Sequence, residues 1–175
     1  MGVRNDRFGR LDFVPEVIQE LHKVVLDDRY GSCRPALPGG RELLTEPAPT
    51  TRTAMVTALG DAMASACREQ ATLFVYFLGH GHKEGEDFYL VAADTPGPER
   101  IDSENAISLG QRIKELLRRY PGVDGLMLVI DACHSGAVIS DPVPGLLRQG
   151  LQARVEFFAA TRPEEVASRG VSAGR

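Results

Sequence analysis

The sequence has no tryptophan, only three cysteines, no excess of positive charge and no long apolar run. Each shortage excludes something. No apolar stretch approaches the roughly 18 residues that suggest a membrane-spanning helix. The opening residues Met1-Gly2-Val3-Arg4-Asn5-Asp6 are too charged for the core of a secretory leader. Asp6 stands where a myristoylation pattern needs Ser or Thr. The chain carries 24 acidic and 20 basic residues, a net charge of −4. That balance disfavours nucleic acid and anionic membrane as principal partners, since both select basic surfaces. Cys33, Cys67 and Cys133 are odd in number and widely spaced, so they do not form a disulfide framework. They fit a reducing, cytoplasmic compartment.

What is present reads as one globular domain spanning residues 1–175. The chain is 43% hydrophobic and 25% charged, which excludes a wholly disordered polymer. Its length suffices for one sizeable core and not for two. Val17, Ile18, Leu21, Val24 and Val25 recur at helical spacing, and Pro15 suits a first turn, predicting a helix over Val14–Leu26. Residues 27–52 are rich in Gly and Pro and read as loop, with a weak strand signal at Glu42–Thr45. Met55, Leu59 and Met63 mark a second helix over Thr53–Arg68. A third is expected over Leu109–Tyr120, with Ser108 and Gln111 in capping-box spacing and Pro121-Gly122 as the stop.

Three short apolar runs lie between and after these helices: Leu73–Leu78, Leu126–Ile130 and Val155–Ala160. They are continuous rather than alternating, as in parallel strands covered by helices on both faces. Tyr89–Ala93, after the Gly85 turn, reads as a small hairpin strand. The expected class is therefore α/β, in three layers. In open sheets of this kind, sites form beyond the carboxyl ends of the strands. The first run is followed at once by Gly79-His80-Gly81-His82, and the second by Asp131-Ala132-Cys133-His134-Ser135-Gly136. If the strands are neighbours, about 4.8 Å apart, His80 and Cys133 emerge at one edge within mutual reach.

That pairing carries chemistry. A thiol is a weak nucleophile until it ionises, and a nearby imidazole takes its proton. The N–H groups of Gly81 and Cys133 are candidate donors to the oxyanion of a tetrahedral intermediate. The stretches Leu73-Phe-Val-Tyr-Phe-Leu-Gly-His-Gly81 and Leu128-Val-Ile-Asp-Ala-Cys-His-Ser-Gly136 together resemble the caspase-like cysteine peptidases. Cys133 follows His80 by 53 residues, near the spacing of about 50 in caspases. Asp131-Ala132-Cys133, in place of the Gln-Ala-Cys of animal caspases, is closer to the metacaspase and bacterial orthocaspase branch.

The resemblance implies a three-layer α-β-α fold around a mainly parallel sheet, and a cysteine endopeptidase with His80 as general base and Cys133 as nucleophile. It implies that Asp131 lines the S1 pocket and selects Arg or Lys, since a carboxylate pairs with either cation. A second acidic pocket residue comes from the loop after the first core strand, where Asp6 and Asp12 are both candidates. The substrate is protein or peptide, and no cofactor or metal is expected. Calcium activates some metacaspases, but no loop here has calcium-ligand spacing. Some relatives cleave themselves, which makes Arg148, Arg154, Arg162 and Arg169 candidate sites. Others carry effector or sensor modules, which here would be supplied in trans.

Several plainer readings compete. His80, His82, Cys133 and His134 contain zinc-ligand types, but adjacent Cys133 and His134 tend to point opposite ways. Ser135 lacks the frame of a nucleophile elbow. His22 reads as a surface residue and Cys67 as a buried small hydrophobe. The seven acids between Lys83 and Asn105 suit a rim for basic substrates or a solvated loop equally. The second functional class is a non-catalytic or partner-completed regulatory domain. The resemblance also implies an incomplete domain. Gly2-Val3 looks like the tail of a first, central strand whose body is missing, and a last strand is missing after Arg175.

Overall fold

The computed structural model describes residues 1–46, 48, 50–85, 87–132 and 153–160. Three helices and six strands organise them: α1 (Val14–Leu26), α2 (Arg52–Glu69), β1 (Thr72–Leu78), β2 (Gly81–Glu84), β3 (Asp87–Leu90), β4 (Ile107–Ser108), α3 (Leu109–Arg119), β5 (Gly125–Asp131) and β6 (Arg154–Ala159). Short 3-10 turns occupy Asp6–Phe8 and Pro38–Gly40. The central sheet runs β1-β5-β6, with both pairings parallel. Gly2 bridges Leu78 in parallel, so residues 1–3 lie along the other edge of β1. Val3 N–H donates to the Leu78 carbonyl at 2.9 Å and Leu78 N–H to the Met1 carbonyl at 2.9 Å.

Strand alternation sorts the core into two clusters. Leu73, Val75 and Phe77 on β1, with Leu126, Leu128 and Ile130 on β5, meet Met55, Leu59 and Met63 of α2 and Ile113, Leu116 and Leu117 of α3. Tyr76 and Leu78 project to the opposite face and meet Val14 and Ile18 of α1. Helices therefore cover both faces, giving the three-layer α-β-α architecture. Completely burying a side chain such as Phe77 contributes about 1.5–3 kcal/mol, which makes the larger cluster the main source of stability. On α1 the inward face is Val14 and Ile18, while Val17 and Val24 are exposed. At 100° per residue they fall off the stripe, so the apolar count overstated that face.

Three expectations change in detail. Glu42–Thr45 is not a strand; the Leu44 carbonyl instead accepts the Gly2 N–H at 2.7 Å. The hairpin strand lies at Asp87–Leu90 and pairs antiparallel with both β2 and β4. The capping box at Ser108 does not form: its hydroxyl is buried without a partner, because Ser108 is also a strand residue opposite Tyr89. Thr51 caps α2 instead, its Oγ1 accepting the Ala54 N–H at 3.3 Å. Position 79 leaves little room for a side chain, since a Cβ would lie 3.0 Å from the Val3 carbonyl oxygen and 3.0 Å from the Phe77 ring.

Candidate active site

The register sets the strand ends that precede the two sequence motifs side by side. Leu78 pairs with Asp131 on the last rung of the β1–β5 ladder. Gly79 N–H then donates to the Asp131 carbonyl at 3.2 Å. His80 follows Leu78 by two residues, and Cys133 follows Asp131 by two. Cys133 itself, with its N–H as oxyanion donor, lies outside the described residues, as do His134, Ser135 and Gly136.

His80 is held by the loop that follows residues 1–3. Its Nε2 lies 2.8 Å from the Gly9 carbonyl oxygen, and Phe8 tilts against the ring with centroids 5.8 Å apart. A carbonyl can only accept, so Nε2 is the nitrogen that carries the proton. In the neutral ring the lone pair then sits on Nδ1, the state a general base requires. The loop is fastened by Asn5, only 6% exposed. Its amide donates to the carbonyls of Ala92 at 2.8 Å and Thr95 at 2.9 Å, and its Oδ1 accepts the Arg7 N–H at 3.1 Å.

Gly81 begins β2 opposite Leu90. Val91 N–H donates to the His80 carbonyl at 3.0 Å, which makes His80 and Val91 a hydrogen-bonded pair. Antiparallel ladders alternate, so the Gly81 N–H points away from β3 and is not consumed by the hairpin.

The three acidic candidates fare differently. Asp131 is half-buried, and its Oδ2 accepts the Tyr76 hydroxyl at 3.1 Å. Burial, then the Asp131 charge and hydrogen bond, push the Tyr76 phenol up to about 12, so it stays a protonated donor. Asp12 is taken up by Arg10 at 3.3 Å and Arg4 at 3.9 Å. Asp6 is exposed on the 3-10 turn. Neither shares a hydrogen bond or ion pair with Asp131 among the described residues.

Other singled-out residues find structural partners. His82 pairs with Glu84 at 3.2 Å. His22 is not a plain surface residue: it bonds Glu42 at 3.0 Å and is largely shielded, because the 27–52 loop folds back over α1. Cys67 is half-buried rather than buried, and Cys33 is exposed. In the acidic stretch, Asp94 accepts the Arg52 N–H at the start of α2 at 2.8 Å, and Asp102 accepts two backbone N–H groups. Those two acids stabilise local backbone rather than a rim. Arg154 begins β6 and pairs with Asp124 at 3.2 Å. Its backbone is committed to the ladder, which opposes cleavage there. Arg148, Arg162 and Arg169 lie outside the described residues.

Sequence patterns alone did not reveal Asn5, Gly9 or Tyr76. Gly9 acts through a backbone carbonyl, which no residue type signals. Tyr76 sits in an apolar run, and its hydroxyl was the one available hint.

No helix among the described residues is long and apolar enough to cross a membrane. Comparison with curated proteins and with solved structures gives no match. A family model described as Caspase domain matches residues 18–174, a span that includes His80, Asp131 and Cys133. That match, over a parallel sheet between helical layers, shows that the chain belongs to the caspase domain family of cysteine peptidases.

Proposed function

We propose that this chain is a cysteine endopeptidase of the metacaspase and bacterial orthocaspase branch, cutting after Arg or Lys, with Cys133 as nucleophile and His80 as general base. One observation carries the reading: Leu78 and Asp131 share a rung, so Gly79 and Ala132 leave the sheet from neighbouring strand ends. His80 Nδ1 takes the Cys133 thiol proton, and the thiolate attacks the scissile carbonyl carbon. The oxyanion draws on the Gly81 and Cys133 N–H groups, each such donor typically worth about 3 kcal/mol of barrier. The imidazolium returns its proton to the leaving amine as the C–N bond breaks, leaving a thioester. A water, deprotonated by the same imidazole, releases the acid and regenerates the thiol. Asp131 binds the basic P1 side chain. Of the other two acids, Asp6 is the better second pocket residue, because Asp12 is already paired with two arginines.

The test is hydrolysis of fluorogenic Arg, Lys and Asp peptides by wild type, Cys133→Ala and His80→Ala. Wild type cuts the Arg and Lys peptides, and both variants lose at least a thousandfold. Preference for the Asp peptide sinks the pocket assignment. Activity unaffected by Cys133→Ala sinks the mechanism.

A second reading, a regulatory domain completed by a partner, is favoured by a different observation. A cavity of about 490 Å³ opens between α1, α2 and the Thr72–Tyr76 edge of β1. Alkylation at pH 6 separates the two readings. In a peptidase Cys133 reacts much faster than Cys33; equal, slow rates support the regulatory domain.

A further inference from the structure

The Asp131 carboxylate has an unusual set of neighbours. It is half-buried at the carboxyl end of β5, yet among the described residues no Arg, Lys or His pairs with it. Its one side-chain partner among the described residues is the neutral Tyr76 hydroxyl, which donates to Oδ2 at 3.1 Å. Asp12, Asp27, Asp61 and Asp124 each take an arginine as partner, whereas Asp131 is held by a neutral hydroxyl. A carboxylate held by a neutral donor has no resident cation that an incoming one must displace.

Tyr76 is well placed to hold it. Asp131 pairs with Leu78 and Tyr76 with Val129, so the two side chains are diagonal neighbours on adjacent strands. Both lie on the face of the sheet that α1 covers. The Tyr76 ring packs against Val14, Ile18 and Leu78, and that packing limits the positions its hydroxyl can reach. The bond occupies one lone pair of Oδ2 and leaves Oδ1 without a partner among the described residues. The phenolic oxygen retains its own lone pairs. A guanidinium would therefore meet two acceptors, Oδ1 and the phenolic oxygen, whereas an ammonium needs only the carboxylate.

From this arrangement we infer that Tyr76 is a positioning residue for specificity, orienting Asp131 so that the site prefers an arginine over a lysine side chain at P1. The inference rests on the reading of Asp131 as the P1-binding acid, and it adds a residue and a preference order to that reading.

The experiment uses the full chain and peptides that differ only at P1: Arg, Lys and the neutral isostere citrulline. Tyr76→Phe removes the hydroxyl and keeps the ring. KM for the Arg peptide is expected to rise about tenfold, the value of one charge-assisted hydrogen bond, with kcat within twofold. The Arg-to-Lys ratio of kcat/KM is expected to fall by about the same factor. In an Asp131→Asn background, Tyr76→Phe should have no further effect. A purely structural role would instead lower the urea midpoint and reduce kcat on every peptide alike, which overturns the proposal. If Tyr76→Phe leaves the ratio unchanged while Asp131→Asn abolishes discrimination against citrulline, the P1 reading stands and the role of Tyr76 fails. If wild type does not discriminate Arg from citrulline, both fail.

Discussion

Replacing Asn5 with alanine tests whether the loop that holds His80 is itself fastened by one side chain. Asn5 is 6% exposed and makes three hydrogen bonds, two donated to the Ala92 and Thr95 carbonyls and one accepted from Arg7 N–H. Thr95 keeps a longer bond from Arg7 Nη1 at 3.4 Å. Among the described residues, the Ala92 carbonyl keeps only the bond it accepts from Thr95 N–H at 3.2 Å. Each lost bond costs about 1 kcal/mol net, and a buried acceptor left short of partners costs about 1–3 kcal/mol. Asn5→Ala is therefore expected to lose about 2–4 kcal/mol. For a chain of this size that lowers the thermal midpoint by roughly 6–12 °C. Circular dichroism reads the transition, since no tryptophan is available.

The Gly9 carbonyl moves with the loop, so His80 loses the acceptor that fixes its ring. Under the proposed mechanism, peptide hydrolysis should fall about ten- to hundredfold, the scale of loss when a catalytic group is misplaced by about 1 Å. Asn5→Asp keeps the acceptor for Arg7 but sets a carboxylate against two carbonyls, and should be at least as damaging. A variant with an unchanged midpoint and unchanged kcat/KM would refute the account of the loop.

Other substitutions and conditions probe separate parts of the fold. Gly79→Ala forces a methyl group against the Val3 carbonyl and Phe77, each 3.0 Å away; a loss of about 1–3 kcal/mol in urea unfolding is expected. Ser108→Ala removes a buried hydroxyl that has no partner. Its stability should hold or rise slightly, where a working N-cap would lose about 1 kcal/mol; such a loss would show that the cap bond exists. Burial lowers the Met1 amino group from 8.0 to about 5. Between those values the unfolded chain binds the proton and the folded one does not. Stability should therefore rise with pH across that window, by up to about 1.4 kcal/mol per pH unit. Acetylation of the amine should flatten that slope; an unaltered slope would assign it to other groups.

The helices and core strands were legible because their signals are local. Apolar spacing placed α1 at Val14–Leu26, the span observed, and the third apolar run fell within one residue of β6. The misreadings were tertiary. Ser108 has the right neighbours for a cap, yet pairing with Tyr89 draws it into a strand. Val17 and Val24 are apolar and fall outside the stripe that α1 buries.

By itself the sequence determined the chemistry available: imidazoles, a carboxylate and a thiol, in two motifs that each follow a buried apolar run. Their types and spacing are covalent facts. Only the tertiary structure decided what stands beside His80 and Asp131. Parallel pairing sets Leu78 against Asp131, the Asn5 anchor brings a distant carbonyl to His80, and α1 packing lends Asp131 the Tyr76 hydroxyl. Such contacts depend on register and loop path, which short-range patterns do not encode.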